Sequence, residues 1–151
     1  MITIDEFKNK LSNGSRLLGI DLGSKRIGIS ISDYNQKIAT PLQTLEKSKK
    51  VKLIDELETI IGENDIKGII IGNPINMNGT YGKSSQSAKD TAINISNKFN
   101  IPVSLWDERL STVGAFNLSS ELDVNVSKRE KDIDKFAAAF ILQGALDFIQ
   151  N

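Results

Sequence analysis

Hydrophobic and polar positions follow two periods along this chain, and the change between them falls near residue 50. Leu17-Leu18-Gly19-Ile20 is a short apolar run that ends in Asp21. Ile27, Ile29 and Ile31 then alternate with Gly28, Ser30 and Ser32, the period-2 pattern of a half-buried strand. Strands are predicted over 16–21, 26–32 and 37–45, with Asp33-Tyr34-Asn35-Gln36 as a turn. Connections this short make the three an antiparallel meander.

Beyond that point the spacing is helical. Leu53, Ile54, Leu57, Ile60 and Ile61 lie on one helix face that ends at Gly62. Residues 66–71 are a nearly continuous β-branched run, which predicts a strand covered on both faces. Ala88, Ala92, Ile95 and Phe99 mark a second helix, 101–106 a further strand, 112–122 a helix, and Ile133 to Phe148 a last one. The loop over 73–84 is polar and Gly-bearing. A meander followed by βαβ units predicts an α/β fold, a mixed five-stranded sheet with helices on both faces.

Residues 1–15 read as an accessory helix, with Thr3 and Glu6 as a capping box and Ile2 and Phe7 at staple spacing. Residues 16–151 are then a single domain. No apolar run approaches the ~18 residues of a membrane span, and no signal-peptide pattern opens the chain. A soluble, cytoplasmic protein is expected.

Composition narrows the chemistry. The 151 residues include no histidine and no cysteine, which removes imidazole bases, thiolate nucleophiles and His- or Cys-ligated metals. What remains is carboxylate, lysine and hydroxyl chemistry, or a metal held by oxygen, for which Mg²⁺ or Mn²⁺ is best suited. The formal net charge is zero, so bulk charge does not point to a polyanion partner.

Three acids fall at the ends of predicted elements: Asp21 after the first strand, Glu108 after the last, and Asp134, with Asp132, opening the last helix. In open α/β sheets, sites form at strand ends near a switch in topology. If the first and last strands were neighbours, Asp21 and Glu108 would converge there, with Asp134 brought in beside them. Three converging carboxylates need a cation, and two Mg²⁺ ions about 3.5–4 Å apart would support in-line attack on a phosphodiester. Each acid also has a plainer reading. Asp21 would suit a turn before glycine, Glu108 a surface ion pair with Arg109, and Asp134 the positive end of a helix dipole.

Four stretches in order carry a resemblance. They are Ile20-Asp21-Leu22-Gly23-Ser24-Lys25-Arg26-Ile27-Gly28, then Gly72-Asn73-Pro74-Ile75-Asn76-Met77-Asn78-Gly79-Thr80, then Asp107-Glu108-Arg109-Leu110-Ser111-Thr112, and finally Ile133-Asp134-Lys135-Phe136-Ala137-Ala138-Ala139 with its continuation. Together they resemble the YqgF/RuvX family from about residue 17 to 148. The resemblance implies an RNase H-like fold and a metal-dependent nuclease, described for the family as processing the 5′ end of precursor 16S rRNA and as a candidate Holliday-junction resolvase. It implies that Asp21, Glu108 and Asp134 are the catalytic, metal-holding acids, Asp21 bridging two ions, and that cleavage leaves 5′-phosphate and 3′-hydroxyl ends.

Nucleic acid is the expected partner, precursor rRNA ahead of branched DNA, with pre-ribosomal particles as a setting. Lys25, Arg26, Asn76, Lys83 and Arg109 are the candidate substrate contacts. The chain departs from the family pattern at Asn73, usually Leu, and at Asn78, usually Asp. Arginines frequent near Ser87-Ala88-Lys89-Asp90 and Ala115-Phe116 are missing. Two other functions remain open at this point. One is an actin-like ATPase, whose phosphate turn also reads Asp-Leu-Gly but whose fold is duplicated. The other is a non-catalytic RNA- or ribosome-associated module.

Overall fold

The computed structural model describes residues 1–23, 25–47, 53–74, 82–108 and 126–151, without the side chains of 83, 84 and 126–134. The predicted helix over 112–122 lies outside the described residues. Strands β1 (Arg16–Leu22), β2 (Arg26–Ser32), β3 (Ala39–Glu46), β4 (Ile66–Asn73) and β5 (Val103–Asp107) form one sheet in the order β3-β2-β1-β4-β5. The meander β1–β2–β3 is antiparallel, whereas β1–β4 and β4–β5 are parallel. The first and last strands are therefore not neighbours: β4 runs between β1 and β5.

Among the described residues the helices are α1 (Ile4–Lys10), α2 (Leu53–Asn64), α3 (Lys83–Phe99) and α4 (Val126–Gln150). Alternation along the strands sorts the core into two layers. Leu18, Ile20, Ile69 and Ile71 share one buried cluster with Leu57 of α2 and Ala88, Ala92 and Ile95 of α3. Leu17 and Ile70 point the other way, into a second cluster with Phe7, Trp106, Ile141, Leu142 and Ala145. Among the described residues no helix is long and apolar enough to cross a membrane.

Several predicted boundaries shift, each for a local reason. β3 opens at Ala39 and not at 37, because the Asp33 carboxylate accepts the N–H groups of Lys37 (2.8 Å) and Ile38 (3.0 Å) and so holds both in the turn. α2 continues through Gly62 to Asn64. The left-handed residue that ends it is Asp65, φ 55°, and the Asn64 amide donates to the Ile60 carbonyl at 2.9 Å. α4 begins at Val126, so Asp132 and Asp134 are in its interior and do not open it. Lys128-Arg129-Glu130-Lys131 are good helix formers that a reading of hydrophobic spacing passes over. At the N-terminus Thr3 accepts from the Glu6 N–H at 3.2 Å, and its hydroxyl donates to the Glu6 carboxylate at 3.1 Å, so the predicted cap forms with a hydroxyl as the second donor.

The largest difference is β2. Its predicted solvent face is buried as well: Ser30 and Ser32 are 0% and 1% exposed. The Ser30 hydroxyl donates to the Ala138 carbonyl of α4 at 2.7 Å. A Cβ on Gly19 of β1 would come within 2.7 Å of Leu142 Cβ and 3.0 Å of the Ala138 oxygen. Small residues here do not face water. They let a helix approach the sheet closely, and the hydroxyl satisfies itself on the helix backbone.

Candidate active site

Asp21 is the penultimate residue of β1, opposite Gly28 of β2. By alternation it shares the α4 face of the sheet with Leu17 and Gly19. Glu108 follows β5 directly, two residues after Trp106, which points to the same face and packs in the α4 cluster. The indole of Trp106 stacks at a tilt on Phe148 of α4, ring centroids 5.9 Å apart. These contacts fix where the chain leaves β5, and hence where Glu108 starts.

Although β4 separates their strands, the side chains of Glu108 and Asp21 meet and hydrogen-bond. They do so over Gly72, which stands between them on β4. A Cβ on Gly72 would lie 3.0 Å from Glu108 Oε1 and 3.2 Å from its Cδ, with Ile141 Cδ1 of α4 at 2.6 Å. The Glu108 carboxyl thus lies against the β4 backbone under the α4 side chain, at the C-terminal ends of the parallel strands.

Electrostatics agree with the geometry. The Glu108 carboxyl is pushed up to about 7, first by burial, then by the charge of Asp21 and the hydrogen bond to it, and last by Asp107. Near neutral pH the pair thus shares a proton or awaits a positive charge. The two described donors, Asp21 and Glu108, are carboxylates, which suit a hard divalent cation such as Mg²⁺ or Mn²⁺.

The other predicted site residues are placed as follows. Lys25 is exposed in the β1–β2 turn, its carbonyl accepting from the Lys47 N–H at 3.1 Å, and Arg26 opens β2 opposite Glu46. Lys83 is the first residue of α3 and Asp134 the ninth of α4, both with side chains outside the described set. Asn76, Asn78 and Arg109 lie outside the described residues. Among the described residues no group of three acids stands ready to hold a metal, so only the Asp21–Glu108 part of the predicted triad is on view.

Two features had no assigned role in the sequence. Gly72 stood in the sequence only as the first residue of the second of the four stretches, directly after the β-branched run. Asn73 is buried, and its side-chain oxygen accepts a 2.6 Å hydrogen bond from the Ser85 hydroxyl, buried in the first turn of α3.

Residues 15–148 match the model of the family described as RuvX: Holliday junction resolvase. A Pelagibacter ubique protein is 64% identical over 151 residues, covering 100% of both chains. A Ruegeria pomeroyi protein is 42% identical, covering 99% of this chain and 97% of its own. Both are named, provisionally, as pre-16S rRNA nucleases. In fold, the chain is similar to Thermus thermophilus RuvC at TM-score 0.52 and 10% identity, over 83% of this chain and 92% of that one. The same enzyme with a Holliday junction substrate gives TM-score 0.50 at 10% identity, over 87% and 91%. The mixed sheet is thus of the RNase H-like kind. By the match over nearly its whole length and by these relatives, the chain belongs to the RuvX (YqgF) family.

Proposed function

We propose that this protein is a divalent-metal-dependent nuclease that cuts precursor 16S rRNA near its 5′ end during ribosome assembly in the cytoplasm. The observation that carries this reading is the Asp21–Glu108 carboxyl pair, held in contact at the rim of the parallel strands by a glycine gap and destabilised in its charged form. Two near-full-length relatives carry the corresponding name.

In this reading Asp21, Glu108 and Asp134 would hold two Mg²⁺ or Mn²⁺ ions, with Asp21 as the acid common to both and Glu108 and Asp134 each completing one site. When bound, such ions neutralise the acids and activate water for attack on phosphorus. The chain's own contribution is placement. The β1 and β5 ends hold two carboxylates in contact, and in this reading α4, docked on the sheet through Ser30 and Ala138, supplies Asp134 as the third acid. Helical spacing sets 134 on the stripe of Ala138, Ile141 and Ala145, which packs on the sheet; residue 132 falls on another side. Lys25, Arg26, Asn76, Lys83 and Arg109 contact the substrate backbone in this reading.

The family description and the fold also favour a second substrate, branched DNA. One experiment decides both points. The protein is given a 5′-extended 16S precursor and a four-way DNA junction with Mg²⁺ or Mn²⁺, beside an Asp21→Asn variant. The expected result is cleavage of the precursor by wild type alone. Undiminished cleavage by the variant would remove the site assignment, and cleavage of the junction alone would replace the substrate.

A further inference from the structure

We propose that Gly72 is a positioning residue of the acid site: it leaves open the space through which Glu108 crosses β4 to meet Asp21. The inference rests on the reading of Asp21 and Glu108 as metal-holding acids, and concerns what builds the site.

Side chains on strands two apart are separated by about 9–10 Å of sheet, and any side chain on the intervening strand stands in the way. On this face of β4 the previous residue is Ile70, fully buried in the α4 cluster. One row nearer the rim, level with Asp21 and opposite Trp106, two residues before Glu108, is Gly72. The Glu108 carboxyl occupies the space a side chain would take there, with Oε1 at 3.0 Å from the Cβ position.

Backbone freedom is not the reason for the glycine. Among the described residues the glycine with positive φ is Gly14, and Gly72 is ordinary strand. A glycine inside a central strand weakens it, so the absence of a side chain has to be explained by what fills the space. Two groups do, Ile141 Cδ1 and the Glu108 carboxyl. The first is the tip of a flexible side chain and can rotate away. The second is held by its hydrogen bond to Asp21, so any shift of it strains that contact.

The test separates these two. In an Ile141→Val background, which removes the methyl at 2.6 Å, Gly72→Ala and Gly72→Val are compared for Mn²⁺ binding by electron paramagnetic resonance, with circular dichroism as a check on the fold. Mn²⁺ binding is expected to weaken roughly 10–100-fold for alanine, the usual range for a group that orients a ligand, and further for valine. Ile141→Val alone should bind as wild type does. Thermal unfolding of the metal-free proteins closes a cycle with Glu108→Ala. Gly72→Ala should lower the melting temperature less when Glu108 is already truncated. Full Mn²⁺ binding by the Gly72→Val variant would overturn the proposal, as would a melting cost independent of Glu108. If wild type binds Mn²⁺ but cleaves nothing, the nuclease reading fails while this inference stands. If wild type binds no Mn²⁺, the metal reading fails and the unfolding cycle alone decides.

Discussion

The Ser85 hydroxyl donates a 2.6 Å hydrogen bond to the Asn73 side-chain oxygen, and both residues are buried. The bond joins the last residue of β4 to the first turn of α3, and so fixes the chain on both sides of residues 75–81. Ser85→Ala should lower stability by about 1–3 kcal/mol, the usual cost of leaving a buried polar group unpaired. Replacing both partners, Asn73→Leu with Ser85→Ala, should recover much of that loss. Urea unfolding of wild type and the two variants checks it; equal stability of the single and double variants would show that the bond does not hold the two ends together.

The docking of α4 should be sensitive to single atoms. Ser30→Ala removes the donor to the Ala138 carbonyl and is expected to cost about 1 kcal/mol. Gly19→Ala should cost more, about 1–3 kcal/mol, because its new methyl meets Leu142 Cβ and the Ala138 oxygen, both held close to the helix backbone. Denaturant titration gives both values, and the reverse ranking would mean that the helix shifts freely on the sheet.

Glu108 predicts a pH dependence with a definite sign. Its folded pKa is raised from 4.5 to about 7, so between these values the folded protein holds a proton that the unfolded chain has lost. Stability from this group is then full below about 4.5 and falls as pH rises to about 7. In metal-free protein, melting temperature followed across that window should fall more steeply for wild type than for Glu108→Gln, whose side chain carries no such proton. Parallel curves would reject the raised pKa.

Removing one charge of the pair should separate stability from activity. Asp21→Asn takes away the like charge beside Glu108, so the metal-free variant should melt no lower than wild type near pH 8 while losing Mg²⁺-dependent cleavage. A large drop in melting temperature would make Asp21 a structural residue first.

Within α4, Asp134→Asn should abolish cleavage and Asp132→Asn should not, because only position 134 shares the stripe of Ala138 and Ile141. Comparable losses from both would mean that the helix is turned differently against the sheet.

The sequence by itself determined the elements and the kind of chemistry. Period-2 alternation marked β2, the β-branched run marked β4 as a strand buried on both faces, and the absence of histidine and cysteine confined any site to oxygen ligands. These are local or compositional properties, carried by residues close together in the chain. Tertiary structure decided the rest. Ser30 and Ser32 read as a solvent face and are buried, because a hydroxyl on a strand is indistinguishable in sequence whether it meets water or the carbonyl of Ala138, 108 residues on. The meeting of Asp21 and Glu108 was expected from adjacent strands, yet β4 lies between them. What brings them together is the missing side chain at Gly72, and a gap acquires meaning only when the fold shows which distant group fills it.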